Sequence, residues 1–127
     1  MIAKIFLAVL GATYLALAAW CAVDPAGTSC ALGLERANGG GRSEYLTIYG
    51  GLQAGLGVLF LWPMLRSGEY LTPVLLTCVV IHAGIVVFRT LGFALYSDIP
   101  GMTKGFAVGE WVILLVSGYL YWKGDAT

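Results

Sequence analysis

The sequence predicts an all-α integral membrane protein, an up-down-up-down four-helix bundle, and three observations support this fold class. Of the 127 residues, 59% are hydrophobic and only 11% are charged, whereas soluble domains are about one-quarter charged. Four apolar stretches are each about 20 residues long, which is the length a helix needs to cross a hydrocarbon core. Most connections between them are short, which favours antiparallel neighbours within a single transmembrane domain, 1–127.

The first predicted span covers residues 5–23. Its apolar run is longer than the 7–15 residues typical of a signal-peptide core, so we interpret it as a span and not as a cleaved leader. It is expected to end at Asp24 and Pro25, because proline cannot continue a helix interior and disfavours helix in the residue before it.

The connection that follows, 26–43, is the longest in the chain. We expect a short surface helix over 30–37 and a flexible segment at 38–41, where the sequence is Asn-Gly-Gly-Gly. Cys21 and Cys30 both lie near this connection. They either pair, if this side of the membrane is oxidising, or remain free thiols. Cys78, inside the third span, is expected to be a small packing residue.

The other three predicted spans are 44–65, 70–96 and 104–122, joined by turns at 66–69 and 97–103. Aromatic residues cluster near the span ends, as in interfacial belts: Trp20, Tyr45, Trp62, Tyr70, Tyr96, Trp111, Tyr119, Tyr121 and Trp122. Basic residues divide equally between the two sides. Lys4, beside the first span, favours an orientation with both termini in the cytoplasm.

Arg89 lies inside an otherwise apolar run of the third span. A charge at that depth costs about 2.5–3.5 kcal/mol on insertion scales, so it needs a partner. When the direction of each span is followed, Glu44 and Glu110 fall at the same depth. We therefore expect Arg89 between two carboxylates, with Tyr49 as a further donor.

Helical spacing extends this cluster along two spans. Tyr45, Tyr49 and Gln53 are four residues apart and share a face, and His82 lies two turns from Arg89. Polar groups that face lipid are costly, so these stripes should face one another around an inward pocket that is deepest at His82 and Gln53. The candidate ligand-binding residues are therefore Glu44, Tyr49, Gln53, His82, Arg89 and Glu110.

The leading hypothesis is that this pocket binds a small amphipathic or lipid-like ligand, for transport or sensing. One alternative is a structural or accessory subunit that binds membrane lipids and a membrane protein partner or a second copy, in which the charges fix helix register. Another is a membrane-embedded enzyme with Glu44 or Glu110 as acid or base.

The enzyme alternative is the weaker one. We predict no catalytic residue, metal ligand or cofactor, because the sequence has no zinc-type spacing, nucleotide-binding loop or nucleophile–base pair. The formal net charge is zero, and no basic tail or patch indicates nucleic-acid binding.

Five sequence elements carry a family resemblance: Glu44, Tyr49-Gly50-Gly51-Leu52-Gln53, Gly55-Leu56-Gly57, Arg89-Thr90-Leu91-Gly92, and Glu110. With them the chain resembles, over nearly its whole length, a bacterial family of small four-span membrane proteins catalogued only as a domain of unknown function. That family is distantly similar to the DoxX-like four-helix group. The resemblance implies the four-span fold and implies no activity. Many members are expected to carry a basic residue before Tyr-Gly-Gly, where this chain has Leu46, Thr47 and Ile48.

Overall fold

The computed structural model describes residues 1–66 and 68–124, and within them the regular structure is entirely helical. The helices are α1 (Ile2–Val23), α2 (Pro25–Ala31), α3 (Gly39–Leu65), α4 (Leu71–Leu95) and α5 (Gly101–Trp122). All but α2 are long and apolar enough to cross a membrane. The predicted fold class is confirmed, and the chain is a multi-pass membrane protein.

The long helices match the predicted spans to within about five residues at each end. The predicted turn at 66–69 includes residue 67, which lies outside the described residues. The adjoining Gly68–Tyr70 forms one turn of 3-10 helix that leads into α4.

The helix between the first two spans starts earlier than predicted. α1 ends at Val23 as expected, but the next helix is Pro25–Ala31 and not 30–37. The reason is local: the Asp24 carboxylate accepts a hydrogen bond from the backbone N–H of Gly27 at 2.9 Å, and Pro25 occupies the first helical position. Both residues favour a helix start at this point.

The glycine-rich segment at 38–41 is also not the flexible linker that was predicted. The Asn38 side chain accepts a hydrogen bond from the N–H of Gly41 at 3.0 Å and caps the first turn of α3. Further along, Leu46–Leu52 is π-helical. A π-helical segment widens the helix and shifts the residues on either side of it relative to an uninterrupted α-helix.

α1 and α3 pack against each other at very short range. A Cβ atom added at Gly11 would lie 2.8 Å from the carbonyl oxygen of Gly57, and one added at Gly57 would lie 2.7 Å from Cγ of Leu15. At Gly51 and Gly55 of α3, in contrast, an added Cβ atom would meet no neighbouring helix of this chain. α1 and α3 therefore approach each other at Gly11 and Gly57.

The core draws side chains from all four long helices: Leu7, Phe60, Leu75 and Leu120 are buried together. α4 packs along α5, and α3 and α1 both contact α4. α1 and α5, in contrast, contact each other little. The bundle is therefore closed on three sides, and it leaves a gap between α1 and α5.

Candidate functional site

The gap between α1 and α5 is a cleft of about 380 Å³. From α1 it is lined by Leu10, Thr13, Tyr14, Leu17, Trp20 and Cys21. From α5 it is lined by Met102, Thr103, Phe106, Gly109, Glu110 and Ile113. The rest of the lining comes from three other parts of the chain. α3 contributes Tyr49 and Gln53, and α4 contributes Arg89. α2 and the residues directly after it, here called the α2 region, contribute Thr28, Leu32 and Leu34.

Arg89 and Glu110 form a bidentate ion pair in this lining. Arg89 Nη2 donates to Glu110 Oε1 at 2.6 Å, and Arg89 Nε donates to Oε2 of the same carboxylate. The two side chains are 29% and 15% exposed. Parallel charge-assisted bonds of this kind hold both groups in one geometry. The predicted pairing of Arg89 with Glu110 is therefore present, and the charge of the pair sums to zero.

Glu44 does not join this pair, which corrects the expected cluster of three charges. Its side chain is exposed, and the ion pair found among the described residues is that of Arg89 with Glu110. Tyr45, the next residue, is 4% exposed and points into the protein. Because successive residues of a helix differ by about 100° in direction, Glu44 cannot share the inward face with it.

The aromatic stripe of α3 lies where the sequence predicts. The Tyr45 hydroxyl donates to Thr28 Oγ1 at 2.8 Å, and its ring stacks on that of Tyr49 with centroids 4.7 Å apart. Tyr49 and Gln53 then line the cleft. Gln53 Oε1 is buried and has no hydrogen-bond partner within the part of the chain that the structure describes.

His82 is fully buried beside the cleft and does not line it. This corrects the prediction that the pocket is deepest at this residue. Its Nδ1 lies 2.8 Å from the carbonyl oxygen of Cys78, and its Nε2 lies 3.0 Å from the hydroxyl of Tyr14. A carbonyl oxygen only accepts, so the proton of the neutral ring is on Nδ1 and the Tyr14 hydroxyl donates to Nε2.

Tyr14 is the functional candidate that sequence reasoning missed. It lines the cleft and separates His82 from it. Its position in the sequence could have identified it. The residue lies near the middle of α1, whereas tyrosines that serve as interfacial anchors lie near the ends of a span. A mid-span tyrosine needs a polar partner inside the bundle, and here that partner is His82.

The α2 region closes one end of the cleft and is fixed by side chains. Arg36 Nε donates to Ser29 Oγ at 2.8 Å, and its guanidinium lies 5.7 Å from the centroid of the Tyr45 ring. Thr28 and Ser29 are each 3% exposed. The connection between α1 and α3 is thus an ordered part of the candidate site.

The three cysteines are unpaired: Cys21 and Cys78 are buried, and Cys30 is exposed. The free-thiol alternative for Cys21 and Cys30 therefore holds. Cys78, which is 0% exposed and belongs to the core cluster, packs as predicted.

No protein-family model, curated protein or solved structure matches this chain. The resemblance to the small four-span family and to the DoxX-like group therefore stays a prediction, and the functional argument depends on the cleft.

Proposed function

We propose that the protein binds a small amphipathic or lipid-like ligand in the cleft between α1 and α5, in the service of transport or sensing. The polar end of the ligand would lie near Gln53, Tyr49 and the Arg89–Glu110 pair. Its apolar part would lie along Leu17 and other apolar side chains of the lining.

The observation that supports this proposal is the combination of volume and lining. A cleft of about 380 Å³ lies within the range of about 300–1,000 Å³ common for small-molecule sites. Its walls are mostly apolar and include a few polar side chains, among them Gln53, Arg89 and Glu110. A buried oxygen without a partner costs about 1–3 kcal/mol, which a bound hydroxyl or amide would offset.

Gly109 allows the cleft to be filled without disturbing the fold. It lines the cleft, and a Cβ atom added there would meet nothing within 4 Å. Gly105, one turn away on α5, is equally free of neighbours and does not line the cleft. Gly105→Phe is therefore a matched control for Gly109→Phe, with the same change in size and helix propensity.

Native mass spectrometry of gently solubilised protein tests the proposal. We expect a discrete bound mass on the wild type and on Gly105→Phe, and its loss from Gly109→Phe, with circular dichroism unchanged in all three. Bare protein in all three samples would contradict the proposal. If a second protein then co-purified in stoichiometric amount, the structural-subunit hypothesis would replace it.

We further propose the bacterial inner membrane as the location, with both termini in the cytoplasm, as the charge of Lys4 indicates. Cys30 provides the test, because it is exposed while Cys21 and Cys78 are buried. It follows α1 on the side of the membrane opposite the amino terminus. A membrane-impermeant maleimide should label intact spheroplasts of the wild type and not of Cys30→Ser. Labelling that requires lysis would reverse the proposed orientation.

A further inference from the structure

We infer that the ligand of the cleft is electrically neutral and carries a hydroxyl group. This inference rests on the proposed function and narrows its ligand class. It follows from the charge balance of the lining, from the unpartnered amide oxygen of Gln53, and from the direction of the Tyr14 hydroxyl proton.

The charge balance excludes an ionic ligand. Among the described residues, the charged side chains that line the cleft are Arg89 and Glu110, and each neutralises the other through two parallel hydrogen bonds. A ligand carboxylate or phosphate would add a negative charge with no cation left to compensate it, and an ammonium group would add an uncompensated positive charge. Both are strongly disfavoured at membrane depth.

Gln53 requires a ligand group that donates a hydrogen bond. Its Oε1 is buried and has no hydrogen-bond partner among the described residues, and an amide oxygen only accepts. A hydroxyl group is neutral and supplies the proton, whereas an ester, which only accepts, cannot.

Tyr14 adds a second requirement for a donor. Its hydroxyl proton is directed at His82 Nε2, because His82 Nδ1–H is directed at the carbonyl oxygen of Cys78. The Tyr14 oxygen can therefore only accept from a molecule in the cleft. An ester or ketone, which only accepts, would leave this oxygen without a bond, whereas an alcohol or phenol supplies the proton.

The remaining lining is suited to an apolar chain. Leu17, Trp20, Met102 and Phe106 line the cleft between α1 and α5. The ligand class is therefore a long-chain alcohol, a phenol with an apolar tail, or a neutral lipid with a free hydroxyl group. Trp20 also gives the cleft a built-in fluorescent reporter.

Quenching of Trp20 fluorescence by three brominated probes tests the inference. The probes are ω-bromoundecanol, methyl ω-bromoundecanoate and the ω-bromoundecanoate anion in alkaline buffer, each titrated into detergent-solubilised protein. We expect saturable quenching, with the alcohol half-saturating at about threefold to tenfold lower concentration than the ester, since one net hydrogen bond separates them. The anion should bind more weakly than either.

Four variants assign the quenching signal to the cleft and to Gln53. Trp20→Phe should abolish the saturable component, and Gly109→Phe should abolish it while Gly105→Phe retains it. Gln53→Leu should raise the half-saturating concentration of the alcohol towards that of the ester without weakening the ester, and the Tyr14 oxygen, which remains as an acceptor, accounts for the preference that is left. Circular dichroism of each variant verifies that the helices are intact.

The outcomes separate the inference from the proposed function. Tighter binding of the anion, or equal binding of alcohol and ester, would overturn the neutral hydroxyl ligand and leave an amphipathic ligand standing. If quenching by all three probes does not saturate, or if Gly109→Phe leaves it unchanged, both the neutral hydroxyl ligand and the proposed binding function are overturned. An alcohol preference that is as large in Gln53→Leu as in the wild type would overturn the role assigned to Gln53.

Discussion

The two faces of α1 differ in how closely they approach their neighbours. Towards α3, Gly11 and Gly57 bring the two backbones so close that neither position has room for a methyl group. Towards α5, larger residues such as Tyr14 and Leu17 face a cleft of about 380 Å³. One helix thus takes part in a close backbone contact on one side and lines an open cleft on the other.

The difference shows that the cleft is not a sign of loose packing throughout the bundle. A sealed, empty cavity costs about 24 cal/mol per Å³. For a volume of about 380 Å³ the cost would be about 9 kcal/mol, which is comparable with the whole stability of a typical domain, about 5–15 kcal/mol. The cleft is therefore a space that lipid, ligand or water fills, and the α1–α3 contact keeps its walls in place.

The largest loss of stability is expected for a substitution in the Arg89–Glu110 ion pair, which lines the cleft. Arg89→Leu leaves the Glu110 carboxylate without its partner, and breaking a buried pair costs about 3–5 kcal/mol. Because the two side chains are 29% and 15% exposed, we expect a smaller loss of about 2–4 kcal/mol in the free energy of unfolding. Reversible unfolding in mixed micelles measures it.

The double variant Arg89→Leu with Glu110→Leu is the control for this prediction. It removes both charges and should recover most of the lost stability, because no unpaired charge remains. A double variant that is as unstable as the single one would show that the loss comes from altered packing between α4 and α5.

The second-largest loss of stability is expected at the contact between α1 and α3. Gly57→Ala places a methyl group 2.7 Å from Leu15 Cγ and 3.0 Å from the carbonyl oxygen of Gly11, so α1 and α3 must separate. Overpacking of this kind costs about 1–3 kcal/mol. The thermal unfolding midpoint measures the loss. Gly55→Ala, which meets no neighbour, should be neutral or stabilising, and equal losses in both variants would contradict the close approach.

The smallest loss of stability is expected at Tyr14, which lies between the cleft and the buried His82. Tyr14→Phe removes the donor to Nε2 of His82, which is 0% exposed, and an unsatisfied buried acceptor costs about 1–3 kcal/mol. Because the cleft can supply water to the vacated position, we expect a loss near the lower limit, about 1 kcal/mol. Tyr119→Phe, at an exposed tyrosine of α5, should leave the unfolding midpoint unchanged.

The sequence predicts the spans and the ion pair because both depend on simple quantities. Apolar length determines which segments can cross a membrane, and Arg89 at that depth requires a carboxylate on a neighbouring span. Helix direction then places Glu110 within reach. The sequence could not exclude Glu44 from the charge cluster, because the direction of that side chain depends on where α3 begins.

Helix-capping side chains explain why the predicted structure of the connection between α1 and α3 was wrong. Asp24 and Asn38 both cap helices, and their side chains outweigh the glycine content that suggested flexibility at 38–41. The π-helical segment Leu46–Leu52 has no comparable sequence signal. This segment packs against α1, and so does Gly57, and neither contact is visible along the chain.

The hydrogen bonds of His82 also bear on the permeability of the bundle. A proton wire needs each group to accept a proton on one side and release one on the other. From His82 Nδ1 the short bond, 2.8 Å, goes to the carbonyl oxygen of Cys78, which has no proton to pass on, while the thiol of the same residue lies at 3.6 Å. The path from Tyr14 through His82 to this carbonyl oxygen therefore does not conduct protons and does not dissipate the membrane potential.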